Sequence, residues 1–178
     1  LGDAKTVLNV GAGTGSYEPA GREVTALEPS AEMIGQRPAA AAPCYQGVAE
    51  DMPFEGNQFD AAMAVLTVHH WTDLEKGLRE MRRVATGNLV LLTFDPEAHY
   101  FWLADYIPEI VELDQPIMPK MSEYSRILGD VKIEYVDITP EQFAEKMQGF
   151  TSNLDNLFSQ SRELETEIKK QLAGLNYE

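Results

Sequence analysis

A glycine-rich turn, Gly11-Ala12-Gly13-Thr14-Gly15, ends the apolar run Thr6-Val7-Leu8-Asn9-Val10, and 17 residues beyond Gly11 an acid, Glu28, closes a second apolar run. Glycine has no Cβ and tolerates positive φ, so such a turn brings backbone close to a ligand. An acid about 20 residues on is the spacing at which nucleotide-binding sheets present a carboxylate to a ribose, where two oxygens can accept from both hydroxyls. The pair points to an adenosine-containing ligand at the carboxyl edge of a sheet. A dinucleotide fingerprint would carry its third glycine at position 16, which is Ser16, so a pyrophosphate cradle is disfavoured. Further along, His69-His70-Trp71 places two imidazoles, the side chain best suited to general-base work near neutral pH, at the end of another apolar run.

Six strand candidates position these residues: Thr6 to Val10, Glu23 to Leu27, Tyr45 to Val48, Phe59 to Leu66, Asn88 to Phe94 and Val131 to Val136. Helices alternate with them. Ser30 can cap a helix from Ala31 to Arg37, stopped by Pro38, and Thr72 with Glu75 makes a capping box for a helix from Asp73 to Ala85. On that second helix Leu74, Leu78, Met81 and Ala85 share a face, while Arg79, Arg82 and Arg83 read as a solvated side balanced by Glu75 and Glu80. Strands that are continuous apolar runs, alternating with helices, predict an α/β fold: a doubly wound, mostly parallel sheet covered on both faces. Residues 95–130 hold four prolines and the aromatics Tyr100, Phe101, Trp102 and Tyr106, and read as a helical insertion or lid after the fifth strand. Residues 139–178 read as a helical tail whose stripe from Leu154 to Leu175 docks on the domain or joins a second copy, so one domain over 1–178, monomeric or homodimeric, is expected.

Four blocks carry a family resemblance: Val7-Leu8-Asn9-Val10-Gly11-Ala12-Gly13-Thr14-Gly15, then Ala26-Leu27-Glu28-Pro29-Ser30-Ala31-Glu32-Met33, then Ala49-Glu50-Asp51-Met52-Pro53-Phe54, then Phe59-Asp60 through Val68-His69-His70-Trp71. In that order they resemble the class I S-adenosylmethionine-dependent methyltransferases, in particular the small-molecule branch called type 11. The resemblance covers Thr6 to Phe94, about half the chain. It implies a Rossmann-like methyltransferase fold, S-adenosylmethionine as cofactor and methyl transfer to a small-molecule acceptor by in-line displacement. Gly11, Ala12, Gly13 and Gly15 would approach the methionyl part, with Asn9 orienting the loop. Glu28 would bind the ribose, Pro29 and Met33 would pack on the adenine, and Ala49 and Glu50 would lie near its polar edge. The backbone around Ala64, Val65 and Leu66 would accept from the cofactor's amino group. His69, His70 and Trp71 would face the methyl donor, and Trp71, Tyr100, Trp102 and Tyr106 would wall an acceptor pocket, the last three serving equally well as a satellite core.

The chain departs from the family at several points. An acid is usual where Asn9 stands, and an aspartate touching adenine where Val48 stands. Only 13 residues separate Gly15 from Glu28, with Pro19 and Gly21 among them, so the helix after the glycine turn must be short or broken. The family's sheet also carries one strand more than the candidates found here. Alignment of the reactants is the first expectation for catalysis and a base at His70, with His69 beside it, the second.

With 14 Lys and Arg against 29 Asp and Glu, the net charge is −15, which repels phosphate backbones and argues against nucleic acid or an anionic membrane as partner. The single cysteine, Cys44, excludes an internal disulfide and a Cys-rich metal site, and no metal triad is visible, so no metal is expected. Cys44 also lies before the third strand candidate, the wrong place for the nucleophile of cytosine methyltransferases. No apolar run approaches the length of a membrane span and no basic-then-apolar leader opens the sequence, so a cytoplasmic protein is expected. Two rivals remain open. A nicotinamide-dependent oxidoreductase would share the sheet, turn and Glu28 but is disfavoured by Ser16, and a non-catalytic S-adenosylmethionine-binding module fits Asn9, Val48 and the missing strand.

Overall fold

The computed structural model describes residues 1–97, 117–136 and 157–171, and the chain divides into two compact units, Leu1–Val131 and Lys132–Glu178. Within the first, the uninterrupted apolar runs become strands because a run without polar alternation must be covered on both faces, as in a parallel sheet. β1 (Thr6–Val10), β2 (Glu23–Glu28), β3 (Cys44–Gln46), β4 (Ala61–Val65) and β5 (Leu89–Leu92) pair in parallel throughout, in the order β3-β2-β1-β4-β5. Register sets Val10 beside Leu27 on one side and Ala64 on the other, so the carboxyl ends of β1, β2 and β4 lie together. The winding reverses between β1 and β4, and that edge is where open α/β sheets bind ligands.

Helix α1 (Ala31–Gly35) starts where expected, with Ser30 Oγ accepting from the Met33 N–H. Helix α2 (Leu74–Val84) does not begin on a capping box at Thr72. Its cap is Asp73, which accepts from the Lys76 N–H, because Thr72 donates both its N–H and its hydroxyl to Glu50 instead. The inward face of α2 buries Leu78, Met81 and Val84 completely against Leu8, Val10, Leu27, Ala62 and Ala64. Each such side chain contributes about 1.5–3 kcal/mol through area removed from water. The outward arginines are not all solvated. Arg79 pairs with Glu75 as expected, but Arg83 pairs with Glu80 and donates to the carbonyls of Phe54 and Met52, while Glu80 accepts from the Met52 N–H. These bonds clamp the loop after β3 onto α2.

One expectation about the second half is altered, and the helical insertion and tail are present in the described residues. Residues 131–136 form no strand, and within them Lys132 and Glu134 pair with each other. In the insertion, α3 (Met121–Leu128) lies against α2, buries Tyr124 in the core and ties Arg126 to Glu75. Tyr100, Trp102 and Tyr106 lie outside the described residues. In the second unit residues 157–171 form helix α4, stitched by Lys169 to Glu165 and by Gln171 to Glu167, and the rest of the tail also lies outside the described residues. No helix among the described residues is long and apolar enough to cross a membrane.

Candidate active site

The glycine turn leaves β1 at the reversal of the sheet, held by two bonds to one acceptor: Gly11 and Ala12 donate to the Leu27 carbonyl at 2.8 and 3.0 Å. Gly11 has φ +67°, and a Cβ there would stand 2.1 Å from Thr67 Oγ1. Only glycine fits that position. Gly13, with φ +53°, donates its N–H to Glu28 Oε2 at 2.8 Å, and Ser30 donates its N–H to Glu28 Oε1 at 2.9 Å. Glu28 is 7% exposed, so its carboxylate is fixed rather than solvated. A carboxylate offers about four acceptor sites, which leaves two for a ligand's hydroxyls.

The other sequence candidates fall into two groups. Near the turn, the Met33 sulfur lies 3.7 Å from where a Gly13 Cβ would be, Pro29 is exposed beside Glu28, and Asn9 is 2% exposed at the end of β1 with its amide nitrogen lacking any hydrogen-bond partner. At the end of β4, Val65 and Leu66 are half-buried, and Leu66 takes φ +53°, in a region that side chains rarely occupy, while donating to the Leu92 carbonyl at 2.8 Å. A 3₁₀ turn at Val68–His70 then brings the His69 and His70 rings to 3.9 Å, centroid to centroid, with His70 exposed.

Three candidates are committed to structure. Ala49 is buried in the core cluster that also holds Leu27 and Met52. Trp71 packs on the core through the gap left by Gly77, where a Cβ would stand 2.5 Å from its ring. Glu50 Oε1 accepts from Thr72 N–H at 2.6 Å, Thr72 Oγ1 at 2.9 Å and Asp73 N–H at 3.1 Å. Burial alone would raise its pKa, but the bonds from Asp73 and Thr72 outweigh it and hold the carboxyl below the usual range. Burial also pushes the Cys44 thiol up despite the nearby Arg37 charge, which disfavours a thiolate.

Sequence reasoning missed Thr67, Arg37 and Glu18. Thr67 carried no signal beyond preceding the histidines. Arg37 and Glu18 are far apart in sequence, and only the fold brings them together under the glycine turn. The turn runs from Gly11 to Arg22 without a helix, where the spacing left room for a short or broken one.

A buried carboxylate with two open acceptor sites, a turn that admits no side chain at Gly11 and an unpartnered amide at Asn9 form a cradle that fits an adenosine ligand with a polar tail. The parallel sheet, with its order β3-β2-β1-β4-β5, is that of an α/β domain of the methyltransferase class, and residues 8–91 match the family model described as a methyltransferase domain. Over those residues the chain is similar to the type 11 branch of the class I methyltransferases.

Relatives agree. The malonyl-[acyl-carrier protein] O-methyltransferase of Erwinia billingiae is 34% identical over 119 residues, 62% of this chain and 47% of that protein. The chloroplastic 2-methyl-6-phytyl-1,4-hydroquinone methyltransferase of Spinacia oleracea is 27% identical over 130 residues, 66% of this chain and 36% of that one. A crystal structure from Anabaena variabilis, designated a methyltransferase from an antibiotic biosynthesis pathway, superposes with TM-score 0.64 and 34% identity over 72% of this chain and 54% of its own. An S-adenosylmethionine-dependent methyltransferase of Thermotoga maritima shares the fold at TM-score 0.59 and 24% identity, over 72% of this chain and 63% of its own. The chain spans about half or less of the length of these curated relatives. Their family implies use of S-adenosylmethionine.

Proposed function

We propose that the chain transfers a methyl group from S-adenosylmethionine to a small-molecule acceptor. The observation that carries this reading is Glu28, buried beneath the glycine turn at the reversal of the sheet with one backbone N–H on each oxygen and acceptor capacity to spare. When bound, the cofactor supplies an electrophilic methyl on a sulfonium, so the chain need supply only position and dryness. Glu28 holds the ribose hydroxyls. The turn at Gly11, Ala12, Gly13 and Gly15 and the Asn9 amide meet the methionyl part, and Pro29 and Met33 flank the adenine. The Val65 and Leu66 backbone closes the opposite wall. His70, exposed in the turn after β4, takes a proton from a hydroxyl or amine acceptor, with the His69 ring tilted against its own.

The two curated relatives are named for different acceptors, a malonyl group on a carrier protein and a hydroquinone, so neither is carried over. The net charge of −15 favours a neutral or cationic acceptor. On the same ground the protein acts without nucleic acid. Calorimetric titration with S-adenosylmethionine and S-adenosylhomocysteine tests the reading, with Glu28→Ala as control. Saturable binding lost in the variant supports the cofactor site, and absence of binding by the folded chain sinks it. Turnover in a subsequent acceptor screen excludes a non-catalytic binding module.

A further inference from the structure

Beneath the glycine turn lies a charged pair that the proposed chemistry does not use. The Arg37 guanidinium donates to the Gly13 carbonyl at 3.0 Å and the Ala42 carbonyl at 3.1 Å, and pairs with Glu18, whose other oxygen accepts from the Ala42 N–H at 2.9 Å. The two side chains are only 6% and 13% exposed. A Cβ on Gly15 would stand 3.4 Å from the same guanidinium, so Arg37 underlies both Gly13 and Gly15. Burying a charged pair is costly unless every donor and acceptor is engaged, and here three protein acceptors surround the guanidinium.

Gly13 is thus gripped at both ends of its backbone: its carbonyl accepts from Arg37, and its N–H donates to Glu28. With no helix between Gly11 and Arg22, no run of helical hydrogen bonds fixes the turn. We infer that the buried Arg37–Glu18 pair does the work of that helix, and that Arg37 is a positioning residue for cofactor binding, setting Gly13 so that its N–H fixes the Glu28 carboxylate for the ribose. This rests on the proposed function, since Glu28 matters here only as the ribose acceptor. Arginine serves here better than lysine, because a planar fork can reach several acceptors at once and an ammonium is a point charge.

The test uses the full chain, with S-adenosylhomocysteine as the calorimetric probe and the Gly13 amide resonance of the ¹⁵N-labelled, ligand-free chain as a second readout. Arg37→Met should weaken the probe about tenfold or more, the effect of losing a charge-assisted hydrogen bond. It should also shift the Gly13 amide to the position of a weaker hydrogen bond. Arg37→Lys and Glu18→Gln should move both readouts in the same direction by less, and they serve if Arg37→Met does not fold. An unmoved Gly13 amide in the variants overturns the inference, as does probe affinity within about twofold of the parent in all three. If the parent chain binds no probe, the cofactor reading fails by itself, and the Gly13 amide still reports whether Arg37 governs the Gly13–Glu28 bond.

Discussion

Thr67 occupies the space that a side chain on Gly11 would need: its Oγ1, Cβ and Cγ2 stand 2.1, 2.7 and 2.8 Å from the Cβ position. The contact joins the end of β1 to the end of β4, across the reversal of the sheet. Gly11→Ala therefore meets two penalties, a positive φ and an overpacked neighbour, together costing about 3 kcal/mol. Chemical denaturation of the variant measures the loss, and a value under about 1 kcal/mol would show that the contact yields. Adding Thr67→Gly should restore part of it, whereas Thr67→Ala should restore little because its Cβ remains too close.

Glu50 ties the loop after β3 to the start of α2 through three donors on one oxygen. Its pKa is held below the usual carboxylate value, so its contribution to stability is present above the unfolded-state value near pH 4.3 and is lost as pH falls through the folded one. Glu50→Ala should cost about 1 kcal/mol at neutral pH and flatten the acid limb of the stability curve. Equal acid sensitivity in parent and variant, followed by thermal melting from pH 7 to pH 3, would contradict this role.

Tyr124 brings α3 into the core, yet its buried hydroxyl makes no hydrogen bond of good geometry. Removing the hydroxyl while keeping the ring forfeits no more than a poorly aligned contact with Thr93. Tyr124→Phe should leave the melting temperature unchanged or raise it. Burial raises the Tyr124 pKa, only partly opposed by Thr93, so the parent should lose stability as pH rises above the free phenol value near 10 and the variant should lose less. A clear drop in stability at neutral pH would reveal a bond worth keeping.

The sheet and both helices packed around it were legible because their signals are local: apolar runs of strand length, Ser30 as a cap, an amphipathic face on α2. The cap of α2 moved by one residue because a loop acid, Glu50, claimed Thr72 across 22 positions, and no local pattern reports such competition. The segment at Val131–Val136 shows the same limit from the other side, since β-branched and aromatic residues alone do not make a strand. In the site, Gly11 and Glu28 stood out by spacing. Ala49 and Trp71 did not turn inward to the core for any reason visible in their neighbours; the small residue Gly77, on another element, makes the room for Trp71. Arg37 and Glu18 were invisible because a buried ion pair has no sequence signature until the fold closes.

Glu28→Gln separates the charge of Glu28 from its shape. The two carboxylate oxygens each accept a backbone N–H, from Gly13 at 2.8 Å and Ser30 at 2.9 Å. An amide has one acceptor and one donor end, so whichever way it turns, an NH₂ group faces a backbone N–H. The variant should lose about 1–3 kcal/mol of stability for that unsatisfied donor. It should also bind S-adenosylhomocysteine at least about tenfold more weakly, because fewer acceptor sites remain for the ribose. Calorimetry well below the melting temperature separates the two effects. Full affinity in a destabilised variant would mean that Glu28 braces the turn without touching the ribose, and the ligand would then have to be held by Asn9 and the β4 end instead.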